Sequence, residues 1–100
     1  MTEPNKPLDQ MTAQERLDLG RSYFKKGKFD ETIAVLKTIL SSEDPEIYAR
    51  ALFGLGAAYY AQKDWKQAIK TWSKIRRSDD PEIYAQAQFN LGDTYRTLGK

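Results

Sequence analysis

The chain contains no cysteine and no histidine. The first absence excludes disulfides and thiolate metal ligands. The second removes the imidazole on which most zinc and transition-metal sites depend, and the two together delete the commonest nucleophile–base pairs. No apolar run approaches the roughly eighteen residues that would span a bilayer. Charge of one sign is also scarce in excess: 16 Lys and Arg against 14 Asp and Glu leave a net of +2, too little to predict nucleic-acid binding, which normally shows a strongly basic domain or face. The opening MTEPNKPLDQ lacks the apolar core and cleavage pattern of a secretory signal, and residues 1–11 read as a flexible leader. What remains is a 100-residue chain, 40% hydrophobic and 30% charged, with a mean hydropathy of −0.72. That describes a single soluble domain. A cytoplasmic location and a function without redox, metal or cofactor chemistry are the expectations.

The positive signal is a repeat. Residues 44–49 read DPEIYA and residues 80–85 read DPEIYA again, 36 positions later. The identity extends beyond the hexapeptide: 44–60 (DPEIYARALFGLGAAYY) and 80–96 (DPEIYAQAQFNLGDTYR) agree at eleven of seventeen positions. At the same shift Leu19, Gly20 and Tyr23 fall on Leu55, Gly56 and Tyr59, and again on Leu91, Gly92 and Tyr95. Phe29 falls on Trp65, Ile33 on Ile69, Leu36 on Trp72 and Ile39 on Ile75. A fixed period in the 20–50 range marks stacked repeats. The chain holds two full units, about 12–43 and 44–79, and the first half of a third, about 80–100.

Each unit divides into two helices. Tyr48, Leu52, Leu55 and Tyr59 step by four, three and four, and Trp65, Ala68, Ile69, Trp72 and Ile75 form a second apolar stripe at helical spacing. No segment alternates with period two. The pattern predicts an all-α fold with helices over about 12–26, 29–41, 45–62, 65–77 and 81–98. Thr12 with Glu15 has the spacing of a capping box. Asp44, Asp64 and Asp80 are placed as N-caps, with Pro45 and Pro81 at the first helical position; Lys28 cannot cap, and Asp30 and Glu31 partly compensate through the helix dipole. The hexapeptide is therefore punctuation, marking where each unit begins. Gly20, Gly56 and Gly92 each cost about 1 kcal/mol inside a helix relative to alanine. Their recurrence at one phase predicts a close approach, with Leu36 or Trp72 lying over the bare backbone.

This pattern resembles the tetratricopeptide repeat, whose first helix carries a leading aromatic or leucine, Leu-Gly and Tyr, and whose second carries Ala, a large aromatic and a small residue before Pro. The best unit supplies Leu52, Leu55-Gly56, Tyr59, Ala68, Trp72 and Pro81. The match covers everything after the leader. It departs from the family in its period, 36 rather than the usual 34, in Ile39 and Ile75 where alanine is normal, in Thr32 for alanine, and in Arg16 for the leading aromatic. The isoleucines should splay or re-tilt the helix pairs. Sel-like repeats are a nearby relative, but their glycine-rich turn between the two helices is missing.

The resemblance implies a right-handed solenoid of helical hairpins whose first helices line a concave groove for a peptide or partner helix. Carried across by position, the groove would be faced by Leu17, Arg21, Phe24 and Lys25 in the first unit and by Arg50, Phe53, Ala57 and Tyr60 in the second. The third would add Gln86, Phe89, Asn90, Asp93 and Arg96. Aromatic faces beside guanidinium groups suit apolar anchors and charge-assisted hydrogen bonds. The alternative for Phe53 and Phe89 is packing between neighbouring helices. One subclass of the family clamps acidic C-terminal tails through lysine, asparagine and arginine; its positions here are Leu17, Arg21, Gly54, Gln86 and Asn90, of which only Arg21 and Asn90 could contribute similarly.

Other functions are less well supported by the residues. Lys66, Lys70, Lys74 and Arg77 form a basic stripe on the fourth helix that could meet an acidic partner, RNA or an anionic membrane. Its counterparts in the second helix are Asp30, Ala34, Thr38 and Ser41, so the repeat does not demand it; a solvated helix face is the plain alternative. An enzyme is not indicated, because no nucleophile–base pair or phosphate-cradling loop is visible. A structural role remains a reading, as a self-assembly module or a spacer in a longer solenoid. Ile83, Phe89, Leu91, Tyr95 and Leu98 on the fifth helix would ordinarily cover a following helix and could instead mediate self-association.

Overall fold

Each helix but one begins where a side chain can satisfy its first backbone N–H groups. A computed structural model describes residues 6–99 of the chain. It forms a 3₁₀ turn (Leu8–Gln10), α1 (Ala13–Lys25), α2 (Phe29–Leu36), α3 (Pro45–Ala61), α4 (Trp65–Trp72) and α5 (Pro81–Thr97), with no strand among the described residues. The Thr12 hydroxyl accepts from the Glu15 N–H at 3.0 Å while the Glu15 carboxylate accepts from the Thr12 N–H at 2.9 Å, completing the capping box. That backbone donor, then Lys6 at 3.1 Å, holds the Glu15 carboxyl below its ordinary value. Asp44 accepts from the Ile47 N–H at 3.0 Å, Asp80 from Glu82 and Ile83 at 3.1 Å each, and Asp64 from Gln67 at 3.3 Å. Lys28 caps nothing, and α2 relies on Asp30 and Glu31 in its first turn.

Two expectations about the helices change. Part of the 1–11 leader lies outside the described residues, but Leu8–Gln10 form a turn and Lys6 pairs with Glu15. The second helices, expected to reach 41 and 77, stop at Leu36 and Trp72. Their last turns tighten to i→i−3 bonds, Ile39 N–H to the Leu36 carbonyl at 3.2 Å and Ile75 N–H to Trp72 at 3.1 Å. The Thr38 hydroxyl donates to the Val35 carbonyl at 2.7 Å and the Ser73 hydroxyl to Ile69 at 2.7 Å, competing with the helical ladder. Ile39 and Ile75 thus lie beyond the helices, buried in the core at the junctions between units.

The residues that follow the first helices are left-handed at one phase of the repeat: Gly27 (φ 75°) and Lys63 (φ 63°) in the hairpin turns, and Gly99 (φ 75°) after α5. The mid-helix glycines do what their recurrence predicts in two of three cases. A Cβ at Gly20 would lie 2.7 Å from Leu36 Cγ, and one at Gly56 would lie 2.7 Å from Trp72 Cε2, with closer atoms in both side chains. The α1/α2 and α3/α4 hairpins therefore close by laying a large side chain on bare backbone. Around Gly92 nothing comes within 4 Å.

Arg16, where the leading aromatic was expected, is buried. Its guanidinium donates to the Thr38 carbonyl at 2.8 Å and the Met11 carbonyl at 3.3 Å and is paired with Glu43, tying the start of α1 to the segment that joins α2 to α3. The Arg16 hydrogen bond, and then the Leu40 N–H, draw the Glu43 carboxyl below its ordinary value. The apolar face expected on α5 divides. Ile83 and Leu91 turn into the core with Ala87, whereas Phe89 (70% exposed), Tyr95 and Leu98 point outward.

Candidate protein-binding groove

The first helices of the units, α1, α3 and α5, contribute one wall each to a pair of adjoining hollows. The first, of about 330 Å³, lies between α1 and α3 and is lined by Gly20, Arg21, Phe24, Lys25, Thr32, Leu36, Phe53, Gly54 and Ala57. The second, of about 290 Å³, lies between α3 and α5 and is lined by Phe24, Ala57, Tyr60, Ala61, Trp72, Asn90 and Asp93. They share Phe24 and Ala57, so one groove runs across the three helices. Small residues create the space: Ala57 and Ala61 recur at helical spacing on α3, and a Cβ at Gly54 would come within 3.0 Å of Leu36 Cδ1. Aromatic edges fix its walls. Phe24 stands edge-on to Phe29 with ring centres 5.3 Å apart, and Tyr60 stands edge-on to Trp65 at 4.9 Å and leans on Trp72 at 5.9 Å.

Eight of the thirteen residues expected to face a groove come together here: Arg21, Phe24, Lys25, Phe53, Ala57, Tyr60, Asn90 and Asp93. Phe53 combines the two roles held open for it. It packs on the core with its ring 6.4 Å from Trp72, and its remaining surface lines the first hollow.

The other five stand elsewhere. Leu17 is a core residue at 1% exposure, because it shares the inward stripe of Gly20 one turn on. Arg50 is engaged by Glu46 at 2.8 Å and by the Asp80 cap at 3.4 Å, linking α3 to the start of α5. Gln86, Phe89 and Arg96 line neither hollow. Phe89 repeats Phe53 without a counterpart of Trp72 to hold it, and Arg96 pairs with Asp93 at 2.9 Å.

The floor was not foreseen: Thr32, Leu36 and Trp72 come from the second helices. The available signal was the pairing of those large residues with the mid-helix glycines, which places them directly beneath the groove.

The ends of the groove differ in charge. Arg21 and Lys25 on α1 have no ion-pair partner among the described residues, while α5 offers Asn90 and Asp93. Hairpins stacked so that their first helices share a groove define an α-helical repeat protein of the solenoid class. The tetratricopeptide repeat family matches residues 17–82, and the chain belongs to that family. No curated protein and no solved structure matches it. Repeats of this family generally mediate protein–protein interactions and are typically non-catalytic. Among the described residues no helix is long and apolar enough to cross a membrane.

Proposed function

We propose that the chain is a protein-interaction module whose α1/α3/α5 groove holds a peptide or a partner helix. The observation that carries this reading is the continuity of the two hollows through Phe24 and Ala57, with cations that have no ion-pair partner among the described residues at one end and Asn90 and the Arg96-paired Asp93 at the other. Such a groove buries apolar anchors along its length and orients the ligand by charge, an acidic side chain toward Arg21 and Lys25. A peptide library selected on the immobilised protein tests it. The selected peptides are expected to lose about tenfold or more in affinity on Phe24→Ala or Arg21→Glu, with far-UV circular dichroism unchanged. Peptides that bind both variants as well as the parent would refute the groove. Arg50 is not the residue to change, since its reversal would disturb the Asp80 cap.

A second reading, self-assembly through α5, draws on the uncovered Gly92 and on Phe89 at 70% exposure. In the other units that glycine is roofed by Leu36 or Trp72, so a helix from another copy with a large apolar residue fits the vacant place. Sedimentation velocity across a wide concentration range should then show association that Phe89→Ser reduces. A chain that stays monomeric at the highest concentration rules this reading out.

A further inference from the structure

A third hollow, of about 290 Å³, lies between the end of α2, the outer side of α3 and α4, and shares only Leu36 with the groove. Its floor is apolar, including Ile39, Tyr48, Leu52 and Tyr59, and Leu40 stands at its edge 56% exposed. Its rim is cationic: Lys37 just past the end of α2, Lys70 in the last turn of α4, and Lys74 in the turn that follows α4. No carboxylate lines it, and none of the three lysines has an ion-pair partner among the described residues. Residues 63–77 carry six cations and one carboxylate, a net of +5 in a chain whose total is +2. Of these cations Lys70 and Lys74 line the hollow, while Arg76 is paired with Asp79 at 3.0 Å. The α2 positions equivalent to Lys66, Lys70 and Lys74 are Asp30, Ala34 and Thr38, so stacking the repeats does not require the lysines.

We propose that this hollow docks an acidic amphipathic protein segment, at a surface separate from the groove. A leucine or aromatic side chain of the segment seats beside Leu40 and Tyr48. Carboxylates along one face of the segment meet Lys37, Lys70 and Lys74 on the rim. Two features select a protein segment over a polyphosphate. The aliphatic part of the floor, Ile39, Leu52 and Leu55, can bury a hydrocarbon anchor that a phosphate chain lacks, and an exposed leucine at the edge of a basic rim gives that anchor a place to enter. The rim steers the encounter, and the floor supplies contacts that salt does not screen.

The test uses a fluorescently labelled synthetic helix with glutamates at i, i+4 and i+8 and leucines on the adjoining face, measured by anisotropy against the intact chain. Binding is expected to weaken with salt and to fall about tenfold for Lys70→Glu/Lys74→Glu and for Leu40→Ser. Phe24→Ala should leave it unchanged. Lys70→Gln/Lys74→Gln serves as the milder pair if charge reversal disturbs helicity. A single-stranded oligouridylate and phosphatidylserine vesicles are run in parallel. Binding of either through the same lysines while the glutamate helix fails would overturn the proposal. So would glutamate-helix binding indifferent to Leu40→Ser, which would reduce it to diffuse charge attraction, or binding abolished by Phe24→Ala, which would place the probe in the groove.

Discussion

Trp72→Ala is expected to lower the unfolding free energy by about 3–5 kcal/mol, the usual cost of deleting a buried indole. The side chain is 2% exposed, and three unlike neighbours hold it. It lies on Gly56, where any added carbon would collide with it; its Nε1–H donates to the Phe53 carbonyl at 3.1 Å; and Tyr60 and Phe53 lean on its ring. Its removal therefore leaves a cavity between α3 and α4 that neither helix can close, since their separation is set by the turn at 62–64 and the Asp64 cap. Whole-domain stabilities are about 5–15 kcal/mol, so this one change removes a large share. Urea titration followed by far-UV circular dichroism measures it. Trp72→Phe separates the contributions, because it keeps most of the ring but loses the N–H, at about 1 kcal/mol for the hydrogen bond alone. A loss under about 1 kcal/mol for Trp72→Ala would mean that the hairpin closes without the indole. Trp72 also floors the second hollow, so partial destabilisation and loss of groove binding should appear together at this position.

The sequence carries its fold at the points where the chemistry is local. A capping aspartate followed by proline needs no tertiary partner to be recognised, and Asp44, Pro45, Asp80 and Pro81 start α3 and α5 as their spacing implies. The hairpin packing was also legible, because Gly20 and Gly56 at one phase of the repeat share a cause, the large side chain laid on each. Features that depend on competition between neighbours were not. The second helices stop at Leu36 and Trp72, and Ile39 and Ile75 are buried in the core just beyond them, a tertiary placement that local periodicity does not carry. Burial of Arg16 could not be foreseen from its own position, since its partners Thr38 and Glu43 lie far along the chain. The same holds for the site. On α1 and α3 helix phase brings Arg21, Phe24, Lys25, Phe53, Ala57 and Tyr60 to the hollows, whereas Leu17 is drawn into the core and Arg50 into ion pairs. On α5 the transfer failed for Phe89 and Arg96, because what fixes Phe53 and Tyr60 in place is Trp72, and α5 has no such neighbour.

Opposite signs are expected for one substitution at two equivalent glycines. Replacing a mid-helix glycine by alanine gains about 1 kcal/mol of helix propensity. At Gly92 nothing lies within 4 Å of the new carbon, so Gly92→Ala should stabilise the chain by about 0.5–1 kcal/mol. At Gly56 the new carbon would press on an indole that cannot retreat. Forcing an extra carbon into a packed core costs about 1–3 kcal/mol, which offsets or exceeds the propensity gain of about 1 kcal/mol and makes Gly56→Ala a net loss of up to about 2 kcal/mol. Gly20→Ala should fall between the two, since Leu36 can rotate parts of its side chain away where Trp72 cannot. Thermal and urea unfolding of the three variants at low protein concentration would establish the order, and equal stabilisation by all three would contradict the packing of Leu36 and Trp72. The concentration matters for a physical reason. A second copy seated over Gly92 would meet the added methyl as Trp72 meets it at Gly56, so Gly92→Ala would then strengthen the isolated chain while weakening its association. Stabilisation at low concentration that disappears at high concentration is thus the signature of an occupied α5 face, and stabilisation independent of concentration is that of a free one.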